Sequence, residues 1–213
     1  ALDIAASMLK AGSYKYALVI GSEKMSEIVN WKDRSVCVLF GDGAGAVVLK
    51  AVDNKTEDVT GALVGQERGI IDSNIYNDGT GAAVLTGGRR FSDSCSTDIF
   101  IHMDGQEVFK FAVKSVPTAI ETLLHNNNMD INDVDKFILH QANVRIIESV
   151  AKRLKADKDK FPVNLNEYGN TSSASIPILL DELNRNGSLK QGEKLVLAGF
   201  GAGLSWGSIL LVW

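Results

Sequence analysis

The sequence predicts an α/β fold with helices and sheets in layers, and two observations carry that expectation. Short apolar runs of strand length alternate with amphipathic helical segments along the 213-residue chain. In addition, LVIGSE…FGDGAGAVVL near the start is echoed by LVLAGFGAGLSWGSILLVW at the end, each a strand, a glycine-rich turn and a further strand. Two copies of one α/β unit would produce that echo.

The elements follow in order. Leu2, Ala5, Ala6 and Leu9 have helical spacing, and Gly12 is a natural stop. The chain opens inside this helix without an initiator methionine, so it reads as a piece of a longer protein. Tyr16–Ile20, Val36–Phe40 and Val47–Lys50 read as strands, and 52–98 as strand plus long loops. Gly105–Asn126 reads as a strong helix, with Val108, Phe109, Ala112, Val113, Val116, Ile120 and Leu123 on one broad face. A buried strand, Lys136–His140, leads into a helix over Asn143–Leu154. Pro162–Leu165 reads as a strand and Ser172–Leu183 as a helix with Pro177 near its first turn, where proline is tolerated. Leu195–Ala198 and Ser208–Trp213 close the chain as strands.

Composition narrows the function classes. The chain is 45% hydrophobic with a formal net charge of −4, which suits a soluble globular protein and provides no basic excess for nucleic acid. No apolar run is long enough for a membrane span, and no signal peptide is evident. Cys37 and Cys95 lack zinc-like spacing and are too few for a disulfide framework, so the expected compartment is the reducing cytoplasm and no metal is expected.

Four stretches invite a chemical reading. Gly41–Ala46 fits the G-x-G-x-x-G/A dinucleotide pattern, but Val47-Val48-Leu49 follows where that pattern needs a helix. A tight turn with close backbone approach is the better reading. His140 ends a buried strand just before a helix, the edge at which open α/β sheets collect active sites, although a lone histidine is more often structural. Asn170 lies in a Gly-Asn-Thr-Ser-Ser turn, where turn geometry or capping is its usual role. The run Gly199-Phe200-Gly201-Ala202-Gly203 allows close approach to backbone N–H groups that could serve as oxyanion donors, or it is simply a turn between strands. Asp42 and Glu23 show no spacing suited to acid–base work, and His102 and His125 are read as structural.

Taken together, HQANxR with His140 and Arg145, GNTSSAS with Asn170, and GFGAGLSWGS resemble the ketoacyl-ACP synthase III family, of thiolase-like fold. FGDGAGAVVL and EVFKFAV fit the same pattern. The resemblance runs from Ala1 to Trp213, with 52–98 contributing least. It implies a layered αβαβα architecture, here an incomplete N-terminal half over 1–100 and a complete C-terminal half over 101–213. It also implies a Cys–His–Asn triad that needs no cofactor. An acyl group from acyl-CoA loads the cysteine, malonyl-ACP loses carbon dioxide, and the resulting carbanion attacks the acyl-cysteine.

By this resemblance His140 and Asn170 are the catalytic donors, and Phe200, Gly201, Ala202 and Gly203 form the oxyanion and substrate loop. Arg34, Gln106, Phe109 and Asn143 would contact coenzyme A. Lys110, Arg145, Lys152 and Arg153 would form a local basic patch for an acyl carrier protein, Arg145 and Lys152 sharing a helix face by their seven-residue spacing. The family places its cysteine in an A-C-x-G-F stretch several residues before the position matched by Ala1. Neither Cys37, in an apolar run, nor Cys95, in a polar loop, matches it, so the chain as given is expected to be inactive and its parent active. A homodimer is implied as well. A chalcone synthase-like polyketide synthase would differ after the histidine and carry proline where Ala202 stands. A thiolase would need a second cysteine near the last glycine turn, and the two-histidine condensing enzymes a histidine in place of Asn170. A non-catalytic relative of the same fold is the alternative from another class.

Overall fold

The computed structural model describes residues 1–52, 68–87 and 100–213. Cys95 and the predicted loops over 53–67 and 88–99 lie outside them. The helices and strands, in chain order, are α1 (Leu2–Lys10), β1 (Tyr16–Glu23), β2 (Gly43–Lys50), β3 (Gly69–Asn77), β4 (Leu85–Gly87), β5 (Ile101–Met103), α2 (Gly105–Asn126), β6 (Lys136–Leu139), α3 (Val144–Leu154), α4 (Leu165–Tyr168), α5 (Ser175–Arg185), β7 (Lys194–Gly201) and β8 (Ser205–Val212).

The layers follow from strand alternation. A four-stranded sheet runs β3-β8-β7-β6, with β6 and β7 parallel and the other pairs antiparallel. On β6, Phe137 and Leu139 face one side, where they join Val116, Ile120 and Leu123 of α2 and Ile146, Ile147 and Val150 of α3. Ile138 faces the other side with Leu195, Leu197 and Leu211, against Leu179, Leu180 and Leu183 of α5. Helix α5 also packs on β2, in the antiparallel ribbon β1–β2, and Leu2 of α1 joins the α5 cluster. The described residues thus stack as α2/α3, sheet, α5 with α1, and ribbon. β3 is the edge strand of a sheet otherwise built from residues beyond 135. The outer face of the ribbon exposes Tyr16, Leu18, Ile20 and Val48.

Local signals explain the elements that agree with the sequence reading. Asp104 accepts from the N–H groups of Gln106 and Glu107, both at 3.0 Å, which starts α2 where its apolar stripe begins. Asn143 caps α3 through the Arg145 N–H at 2.9 Å.

Three readings are corrected. Val36–Phe40 is a run of turns rather than a strand. The Asp33 carboxylate accepts from the Ser35 N–H at 2.9 Å, and its carbonyl accepts from Cys37 at 2.9 Å, so local bonds wind this segment. Val36 is buried and Val38 is 69% exposed. Pro162–Leu165 is no strand either, because Pro162 has no N–H and the Asn164 N–H goes to the Gln141 side chain at 3.2 Å. The Gly43–Ala46 part of the glycine motif lies within β2 instead of a turn, as Gly199–Gly201 lies within β7. The expected close approach is nevertheless present. Gly21 and Gly45 are directly paired, and a Cβ on either would meet the backbone, Ser173 O at 2.6 Å or Ile178 N at 3.0 Å. This glycine groove seats the start of α5, and with it the segment around Asn170, against the ribbon.

Candidate active site

His140 follows β6, and its N–H donates to the Ala198 carbonyl of β7 at 2.8 Å, which ties it to the sheet edge. Its Nδ1 lies 2.6 Å from Ser175 Oγ at the start of α5. The Phe200 ring meets the imidazole edge-on, with centroids 5.4 Å apart, and Phe200 contacts Phe111, which itself packs on Trp206. Gln141 is fully buried and structural. Its Nε2 donates to the Leu139 carbonyl at 2.8 Å, and its Oε1 accepts from Asn164.

Asn170 is 8% exposed and held by a parallel bridge to Phe40. The Asn170 N–H donates to Leu39 O at 2.8 Å, and its carbonyl accepts from Gly41 at 3.0 Å. Its side-chain Oδ1 accepts from the Ser172 N–H at 2.9 Å. That bond orients the amide and leaves its NH₂ end without a partner among the described residues. Glu23, which showed no acid–base spacing, accepts from the Ser173 hydroxyl at 2.5 Å and so fixes the same segment to β1. Asp42 holds Ser26 through its N–H and hydroxyl.

His140 and Asn170 line one cavity of about 300 Å³, together with Phe109, Asn143, Phe200, Gly201 and Ala202. A second cavity, of about 560 Å³, reaches from Ala1 and Leu2 to Ser175 and Gly199. His140, Ser172, Phe200 and Gly201 line both and form the wall between them. Gly203, with φ of 138°, closes the turn after β7 in a conformation that suits glycine. Among the described residues, no cluster of three or more His, Cys, Asp or Glu could hold a metal, and no helix is long and apolar enough to cross a membrane.

Comparison with known proteins bears directly on this arrangement. Residues 124–213 match the family model of the 3-oxoacyl-[acyl-carrier-protein (ACP)] synthase III C terminal, and residues 1–67 match that of 3-oxoacyl-[acyl-carrier-protein (ACP)] synthase III. The whole chain is 45% identical to the beta-ketoacyl-[acyl-carrier-protein] synthase III of Clostridium acetobutylicum, covering 63% of it. It is 43% identical to that of Clostridium novyi, covering 64%. The chain belongs to the ketoacyl-ACP synthase III family. It therefore spans just under two thirds of the length of these curated relatives. Among solved structures, the whole chain superimposes on the Aquifex aeolicus 3-oxoacyl-[acyl-carrier-protein] synthase III with a TM-score of 0.87 at 42% identity, covering 63% of that chain. The Thermus thermophilus beta-ketoacyl-[acyl carrier protein] synthase III gives a TM-score of 0.88 at 36% identity, with all of this chain and 64% of that one covered. The thiolase-like α/β fold expected from the motifs is thereby established.

Phe109 and Asn143 line the smaller cavity, while Arg34 and Gln106 are exposed and do not line it. Arg34 lies on the turn segment whose Leu39 and Phe40 do, and Gln106 is next to Gly105, which also does. Lys110, Arg145, Lys152 and Arg153 are exposed on the neighbouring helices α2 and α3. Lys110 pairs with Glu107 at 2.7 Å, and Arg153 reaches the Val113 carbonyl across the two helices at 3.5 Å. Cys37 packs with the Met25, Val29 and Val36 cluster, as a small apolar side chain would.

Burial pushes the His140 pKa down to about 4, because the imidazolium would lose its hydration there. The unfolded chain binds this proton below about pH 6.5 and the folded one does not, so His140 contributes a loss of stability of at most about 3 kcal/mol as pH falls from about 6.5 to 4. His140 ring signals in an NMR titration are expected to stay flat between about pH 5.5 and 8. A midpoint above about pH 6 would contradict this burial.

Proposed function

We propose that the full-length protein joins an acyl-CoA primer to malonyl-ACP by decarboxylative condensation, yielding 3-ketoacyl-ACP and starting a fatty-acid chain. The observation that carries this reading is the convergence of His140 and Asn170 on one cavity with Phe200 and Gly201 at the end of β7 and Ala202 just after it. In the reaction, a cysteine thiolate attacks the acyl-CoA carbonyl, the carbon–sulfur bond to CoA breaks, and CoA leaves as a thiolate that takes a proton from water. The nucleophile is assigned, as in the family pattern, to a stretch ahead of the position of Ala1. Malonyl-ACP then breaks its carboxylate carbon–carbon bond, carbon dioxide departs, and the electron pair moves into an enolate on the thioester oxygen. His140 Nε2–H and the Asn170 amide donate to that oxygen as its charge grows. The enolate carbon attacks the acyl-cysteine carbonyl, and the thiolate leaves. Neither His140 nor Asn170 changes charge, which fits an imidazole held neutral by burial.

The Ala202 main-chain N–H is assigned to the second oxyanion site, for the acyl-cysteine. Because that donor is backbone, alanine at 202 serves as well as glycine. Coenzyme A is assigned to the smaller cavity, against Phe109 and Asn143, with Arg34 and Gln106 outside it. The protein is placed in the cytoplasm as a homodimer that uses no cofactor. The test is direct: full-length protein, a panel of short acyl-CoA primers and malonyl-ACP, with the intact mass of the carrier protein as readout. A 3-ketoacyl mass supports the reading, and unaltered malonyl-ACP with every primer rejects it.

The basic residues of α2 and α3 are assigned to the carrier protein. With Lys110 already paired to Glu107, Arg145 and Lys152 are the freer charges. Arg145→Glu is expected to raise the KM for malonyl-ACP about tenfold, and less at high salt, with acyl transfer from acyl-CoA nearly unchanged. Equal losses in both steps would refute the docking role.

A further inference from the structure

A neutral imidazole has one donor and one acceptor nitrogen, and its hydrogen-bond partners select which is which. Ser175 is 3% exposed, and its Oγ has two neighbours: His140 Nδ1 at 2.6 Å and the Gln141 N–H at 3.3 Å. The Gln141 N–H can only donate, so it occupies a lone pair of the hydroxyl. The hydroxyl proton then needs an acceptor of its own. A helical serine often returns it to the carbonyl four residues back. Here that carbonyl, on Thr171, receives the Ala174 N–H, and no bond from Ser175 to it forms. Among the described residues, Nδ1 is the acceptor in reach.

We infer that Ser175 is a positioning residue that sets the tautomer of His140, donating its hydroxyl proton to Nδ1 so that Nε2 carries the ring proton. The opposite tautomer would leave a buried hydroxyl proton without an acceptor, which disfavours it by about tenfold or more. Burial keeps the ring neutral, so the choice of tautomer is the choice of what the cavity meets. The edge-on Phe200 ring and the His140–Ala198 backbone bond hold the imidazole in that orientation. The consequence for catalysis rests on the function proposed above. With Nε2 protonated, His140 and Asn170 both present N–H groups to the enolate oxygen. With Nδ1 protonated, His140 would aim a lone pair at it.

Nitrogen-15 NMR of the ring in the full-length protein tests the assignment without reference to activity. The expected result is the Nε2–H tautomer in the native protein and a mixture in Ser175→Ala. Ser175→Ala should also lower kcat for malonyl-ACP decarboxylation about tenfold with KM little changed, and Ser175→Thr, which keeps the hydroxyl, should recover most of it. An Nδ1–H tautomer in the native protein overturns the inference, as does an Nε2–H population that Ser175→Ala leaves unaltered. A protein lacking decarboxylase activity altogether would remove the function proposed above, while the NMR result would still decide the tautomer.

Discussion

Replacing His140 or Asn170 by alanine in the full-length protein is expected to lower malonyl-ACP decarboxylation by on the order of 10²- to 10³-fold, the weight of one preorganised oxyanion donor. The two proposed donors are built differently, and the variants should differ accordingly. Asn170 is oriented by its own local bond to the Ser172 N–H, so Asn170→Ala removes an amide and leaves the turn's backbone bridge to Phe40 in place. His140 is held by Ser175 and Phe200, and His140→Ala opens the wall between the two cavities. Both variants should fold, and acyl transfer from acyl-CoA should be affected less than decarboxylation. A near-wild-type decarboxylation rate in either would remove that residue from the donor pair.

Gly41→Ala should do comparable damage from outside the cavity. A Cβ at Gly41 would lie 2.1 Å from the Tyr168 carbonyl oxygen, a backbone atom that no rotamer change can move aside. Relief requires separating the 39–41 segment from 168–170, which breaks the Gly41 N–H bond to Asn170 and strains the Asn170 N–H bond to Leu39. The expected cost is at least about 2 kcal/mol of stability, from overpacking and a lost buried hydrogen bond. Displacing the Asn170 amide by about an ångström should lower decarboxylation about 10²-fold. Gly79→Ala is the comparison, since a Cβ there meets nothing within 4 Å. It should stay within about 0.5 kcal/mol of the parent in thermal or urea unfolding. Equal behaviour of the two alanine variants would show that the Phe40–Asn170 bridge does not need glycine.

Much of the fold was legible because its signals are local. Helix α2 runs over Gly105–Asn126 as its apolar period indicates, since the stripe and the Asp104 cap lie within the segment they specify. The VCVLF stretch misled because its hydrophobicity is real while its backbone follows Asp33, a polar residue three positions earlier. His140, Asn170 and the Phe200–Gly203 segment were each ambiguous alone. Only their order and long spacing marked the family, and no periodicity could place them on one cavity.

By itself the sequence determined the longer helices, the buried strands of the C-terminal sheet and the family, all of which depend on periodicity, caps and motif order along the chain. The tertiary structure alone decided what those residues meet. Ser175 reaches His140 across 35 positions and Glu23 reaches Ser173 across 150. Gly21 and Gly45 leave a groove whose purpose appears only once α5 lies in it. Such contacts follow from how layers stack, and hydrogen bonds between residues so far apart leave no spacing rule in the sequence.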